Sequence, residues 1–93
     1  MTRTAVKVCI EGRVQGVWFR SWTADQAMDL GLRGWVRNRT DGSVEALFAG
    51  DAAAVAEMVK RCRTGPPLAH VARVVETPAH EDPGDGFRLL PTA

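Results

Sequence analysis

Val6, Val8 and Ile10 alternate with Lys7, Cys9 and Glu11, the period of a strand with one buried face. From Phe19 the period changes. Phe19, Trp22, Thr23, Gln26, Ala27 and Leu30 recur at spacings of three and four, one face of a helix, and Gly31 follows as its stop. Leu32 to Asn38 reads as a second strand. Thr40-Asp41-Gly42-Ser43 is a turn, and Val44 to Ala49 returns as a third strand. Gly50-Asp51 opens a second helix, with Asp51 as its N-cap and Val55, Met58, Val59 and Cys62 as its buried stripe. Gly65-Pro66-Pro67 ends it, because neither proline can continue a helix. His70 to Glu76 reads as a fourth strand, with Val71 and Val75 on one face and Ala72 and Val74 on the other. Pro78 to Gly86 reads as a surface loop, and Phe87 to Leu90 as a short closing strand.

The element order is therefore βαββαβ with a small extra strand. Two split βαβ units with right-handed crossovers predict an α+β, ferredoxin-like sandwich: an antiparallel sheet carrying both helices on one face. There are no repeats, no low-complexity tract and no linker, so residues 1–93 are expected to form one domain. The fold by itself fixes no chemistry.

Composition narrows the classes. Hydrophobic residues make up 45% of the chain and charged residues 25%, which is the globular range. The net charge of +1, from 12 basic and 11 acidic residues, argues against a general electrostatic hold on nucleic acid or an anionic membrane. No apolar run approaches the roughly 20 residues of a membrane helix, and no signal-peptide pattern opens the chain. A cytoplasmic monomer is the expectation. Cys9 falls on the sheet face away from the helices and Cys62 on a helix, so two free thiols are expected rather than a bridge.

Candidate chemistry concentrates in Glu11-Gly12-Arg13-Val14-Gln15-Gly16-Val17-Trp18-Phe19-Arg20, which leaves a strand and opens a helix across two glycines. Glycines let consecutive backbone N–H groups turn inward, and a helix N-terminus adds unpaired donors. Such a cup suits a tetrahedral anion, with Arg20 at its rim as a planar fork of donors. A plain strand-to-helix turn would use the same two glycines. The Gly-Lys-Ser/Thr ending of a nucleotide-binding P-loop is missing.

That stretch, followed by Gly34-Trp35-Val36-Arg37-Asn38 and by Asp41-Gly42-Ser43-Val44-Glu45, closely resembles the acylphosphatase family, and the likeness runs from about Ala5 to Leu90. The resemblance implies a metal-independent hydrolase, without cofactor, that cleaves a small-molecule acyl phosphate into a carboxylate and inorganic phosphate. It places the family's essential arginine on Arg20 and its essential asparagine on Asn38. Backbone N–H groups of Gln15, Gly16, Val17, Trp18, Phe19 and Arg20 would cradle the phosphate. Asn38 has no useful pKa and would act by orienting a water. Spacing alone does not bring Asn38 to the loop; the resemblance does.

Two other readings share the pattern. One is a carbamoyl-phosphate-handling domain like that fused to hydrogenase-maturation proteins, against which a chain of this length counts. The other is a nucleic-acid-binding module of the same fold, which would display aromatics on its open sheet face and carry a basic surface. Of the remaining residues, Arg13 reads as a solvated charge, Trp22 and Trp35 as core, and Trp18 as either packing or a substrate contact that alters acyl-group preference. His70 and His80 carry no assigned role.

Overall fold

The computed structural model describes residues 2–93. Its elements are β1 (Arg3–Arg13), α1 (Phe19–Asp29), β2 (Arg33–Asn38), β3 (Val44–Asp51), α2 (Ala52–Thr64), β4 (His70–Pro78) and β5 (Phe87–Leu89). The strands form one sheet in the order β4-β1-β3-β2-β5. The first four pair antiparallel, giving the α+β ferredoxin-like sandwich that the element order predicts, while β5 joins β2 in parallel. Because β3 runs opposite to both neighbours, β1 and β2 run the same way and end at the same edge of the sheet.

The core lies between the sheet and the two helices. Val8, Ile10, Val36, Ala46 and Phe48 come up from the strands to meet Phe19 and Ala27 of α1 and Val55, Met58, Val59 and Cys62 of α2. Each large apolar side chain so buried contributes about 1.5–3 kcal/mol relative to exposure. The stripe read for α2 is the buried stripe found. Gly31 stops α1 as expected: with φ 69° it lets its own N–H donate to the Met28 carbonyl (3.1 Å) and lets the Leu32 N–H donate to the Ala27 carbonyl (2.9 Å). This pair of bonds satisfies carbonyls that would otherwise be orphaned. Asp51 does hold the N-cap position of α2, but its carboxylate makes no capping bond. The first helical N–H, at Ala52, donates instead to the Thr2 carbonyl at 2.8 Å.

Two readings need correction. In β4, Val71 and Val74 are the residues packed against the core. Pairing places Val71 opposite Gly12 and Arg73 opposite Glu11, so Ala72 is an extra residue that resets the alternation. The bulge also explains Gly12, where a Cβ would lie 2.3 Å from the His70 carbonyl oxygen. Trp35 is buried, but on the sheet face away from the helices, where Arg37 lies 4.8 Å and Lys7 5.8 Å from its ring centroid. The guanidinium and ammonium close over the indole as cation–π partners.

Ala79 to Gly86 is the surface loop read from the sequence. Since β4 and β5 stand at opposite edges, the connection must cross the sheet. It crosses the open face, held to β1 by Lys7–Glu81 (3.1 Å) and to β2 by Arg33–Asp82 (2.9 Å) and by the Gly34 N–H on the Gly86 carbonyl (3.0 Å). Cys9 and Cys62 are both free, as expected. Burial in the apolar core pushes the Cys62 thiol up to about 12.

Candidate active site

At the edge where β1 and β2 both end, the chain opens a cleft of about 410 Å³ walled by Val14, Gly16, Trp18, Phe19, Arg20, Ser21, Asn38 and Leu89. Local backbone geometry builds its floor. Gly16 has φ 73° and Trp18 has φ 66° with ψ 21°, so left-handed residues bracket Val17 and fold the segment back on itself. The first bond within α1 runs from the Trp22 N–H to the Trp18 carbonyl at 3.0 Å, and no side chain caps the helix. The N–H groups of Phe19, Arg20 and Ser21 therefore precede the helical ladder, and these same residues line the cleft. No acidic residue occupies the first turn, which leaves the positive end of the helix dipole unopposed.

Buried neighbours anchor this start. Val17 and Phe19 are driven into the core, and Phe19 meets Trp22 edge-on at 5.4 Å. Trp18 between them is 76% exposed. It is the one non-glycine residue with positive φ among those described, a conformation that costs an L-residue about 1–2 kcal/mol.

Arg20 is partly buried, and no ion pair or side-chain hydrogen bond joins it to another described residue. Asn38, also partly buried, has a side chain equally free of such bonds among the described residues. Its backbone is held firmly: Asn38 pairs with Val44 in β3, the Ala93 N–H donates to its carbonyl (3.0 Å), and the Thr40 N–H donates to the Ala93 carbonyl (2.9 Å).

Gln15 does not line the cleft; its side chain ties the site together. The Nε2 group donates to the carbonyls of Arg39 and Ser43, both at 2.8 Å, and so pins the glycine loop to the turn that follows Asn38. Asp41 in that turn accepts from the Ser43 hydroxyl (2.6 Å) and the Ser43 N–H (2.9 Å), which hold its carboxyl below the usual carboxylate range.

Of the residues singled out from the sequence, Gly16, Trp18, Phe19, Arg20 and Asn38 thus meet in one cleft. Gln15 and Val17 send their side chains elsewhere, and Arg13 is exposed outside it. Val14, Ser21 and Leu89, which also line it, were not assigned to the site from the sequence. Leu89 arrives because β5 sets it beside Val36, two residues before Asn38, a placement that only the sheet order reveals. Among the described residues, no group of three His, Cys, Asp or Glu side chains could hold a metal ion.

A family model, acylphosphatase, matches residues 6–89. The chain belongs to the acylphosphatase family. It is 55% identical over 92 residues to the acylphosphatase of Nitrobacter hamburgensis, covering 92% of this chain and 93% of that one. With the acylphosphatase of Rhodopseudomonas palustris it shares 52% identity over 98 aligned positions, covering 99% of each. Its backbone is also similar to the solved acylphosphatase of Coxiella burnetii, at a TM-score of 0.91 and 32% identity over 95% of this chain and 93% of that one. Agreement of this depth over nearly the full length makes it an enzyme of the acylphosphatase class. Among the described residues, no helix is long and apolar enough to cross a membrane.

Proposed function

We propose that this acylphosphatase-family chain hydrolyses carboxyl-phosphate mixed anhydrides by direct attack of water at phosphorus. Arg20 and the N–H groups of the 15–20 loop hold the phosphate, and Asn38 holds the water. The new bond joins the water oxygen to phosphorus. The bond to the acyl oxygen breaks, and its electron pair leaves with the carboxylate. One proton of the water passes to the substrate's own phosphate, so the products are a carboxylate and dihydrogen phosphate. The departing carboxylate is a weak base and needs no protein acid. The reaction needs no cofactor, and we assign it to a single domain spanning 1–93 that acts as a monomer in the cytoplasm.

One observation carries this reading: a partly buried arginine and an asparagine amide, both unpaired among the described residues, share a cleft with an uncapped helix start. Phosphoryl transfer asks of a protein chiefly position and charge stabilisation. A guanidinium supplies two oxygens' worth of donors in one plane. Losing one donor of this kind costs about 2.7–4 kcal/mol in the transition state. An amide next to the cup can aim a water but cannot take its proton, which fits a reaction whose proton goes to the substrate.

The sheet surface speaks against a nucleic-acid module. Trp35, the aromatic residue on the open face, is covered by Arg37 and Lys7 and keeps only 6% of its surface. Base stacking needs an exposed ring there. The deciding experiment is hydrolysis of benzoyl phosphate in EDTA by the wild type, Arg20→Ala and Asn38→Ala. Rapid turnover in the wild type and its loss in both variants is expected, with Asn38→Ala still inhibited by inorganic phosphate. Near-normal turnover in Asn38→Ala would remove the water-orienting role.

A further inference from the structure

The cleft also has apolar walls. Beside the N–H groups and Arg20 stand two large apolar side chains open to solvent, Trp18 at 76% and Leu89 at 52% exposure. They come from separate elements, Trp18 from the helix start and Leu89 from β5. Neither packing nor local preference accounts for a tryptophan at position 18. Its backbone is left-handed, its indole is mostly in water, and Val17 and Phe19 already anchor the loop. Backbone strain combined with an exposed apolar side chain at a ligand cleft marks a residue kept for contact with the ligand.

We propose that Trp18 and Leu89 form an apolar clamp on the acyl group of the substrate and select aromatic acyl phosphates over acetyl or carbamoyl phosphate. The inference rests on the hydrolase reading above and specifies its leaving group. Once the phosphate oxygens occupy the polar side, the acyl carbon skeleton has only the donor-poor walls to lie against. A flat ring covers the indole face and reaches Leu89. A methyl or amino group leaves both wet, and burial of apolar area is what separates the substrates. The cleft volume of about 410 Å³ falls in the range of small-ligand sites, roughly 300–1,000 Å³.

The test compares kcat/KM for benzoyl phosphate and acetyl phosphate in the wild type, Trp18→Asn and Leu89→Ser, each corrected for the uncatalysed rate. Asparagine tolerates a left-handed backbone, so Trp18→Asn removes the indole without adding strain. The wild type should favour benzoyl phosphate by about tenfold or more, and each variant should cut that preference by about fivefold to tenfold. Hydrolysis of both substrates with a preference that neither variant changes would overturn the clamp and leave the hydrolase reading standing. Hydrolysis of neither substrate by the wild type would overturn the hydrolase reading and the clamp with it.

Discussion

Two parts of the molecule use arginine in opposite ways. On the open face of the sheet, Arg33 is paired with Asp82, and Arg37 and Arg39 converge on Glu45 at 2.7 and 3.2 Å. Arg33 fastens the crossing segment, and Arg37 covers Trp35. In the cleft, Arg20 is as sheltered as these three and yet has no partner among the described residues. A half-buried charge without a counter-ion is costly unless something else supplies one. The difference separates arginines paired within the fold from one that lines the cleft and is proposed above to hold phosphate.

The comparison is broken most sharply by truncating each kind. Arg20→Ala should lower kcat for an acyl phosphate by about 10²–10³, while its thermal midpoint stays close to the wild-type value because no ion pair or side-chain hydrogen bond to another described residue is lost. A fall in midpoint without a fall in rate would reverse the assignment. Arg20→Lys should remain well below the wild type, since an ammonium lacks the planar fork.

Gln15→Ala comes next, since Gln15 belongs to both parts. It would remove one of the two hydrogen bonds at each of the Arg39 and Ser43 carbonyls, which keep the Gly42 and Arg39 N–H donors, and at about 0.5–1.5 kcal/mol per bond should cost about 1–3 kcal/mol in a denaturant titration. Turnover should fall with it as the loop loosens from the turn after Asn38. If stability fell and kinetics did not, the tie would be purely structural.

Arg33→Ala should change stability by less than about 1 kcal/mol, because its ion pair is solvent-exposed, and should leave turnover unchanged. The smallest effect is a pH dependence. Folding makes Asp41 more acidic than its ordinary 3.8, chiefly through the Ser43 hydroxyl. Its contribution is therefore complete above that value and lost as pH falls through the lower folded value. The difference in unfolding midpoint between wild type and Asp41→Asn should be constant near neutrality and shrink below pH 3.8. A gap that widens on acidification would mean the opposite shift.

Much of this was legible in the chain itself, for reasons tied to particular residues. The α2 stripe and the Gly31 stop depend on interactions a few residues apart, so sequence periodicity reports them directly. The glycine loop and Arg20 could be placed at one strand-to-helix junction because the change from period two to a spacing of three and four falls between them, and Gly16 and Arg20 do line the same cleft. What escaped is long-range. The extra residue at Ala72 shifts the alternation through pairing with a strand some 60 positions earlier. Trp35 looked like core because burial by Arg37 and Lys7 has the same hydrophobic signature as burial by helices. Asn38 was reachable by a further step of topology: strands flanking a common antiparallel neighbour end at one edge. Leu89 was not, because a three-residue strand carries no sign of which partner it takes or in which direction.

The parallel docking of β5 beside β2 also sets an order in time. As the chain leaves the ribosome, the loop, Arg20, Asn38 and the strand between their sheet positions are all made by residue 51. Leu89 follows only at the end. Of the clamp proposed above, Leu89 is thus written in a separate stretch of the message from Arg20, Asn38 and the loop that carries Trp18. Under that proposal, drift in the last strand would retune one side of the acyl contact without rewriting the loop, Arg20 or Asn38.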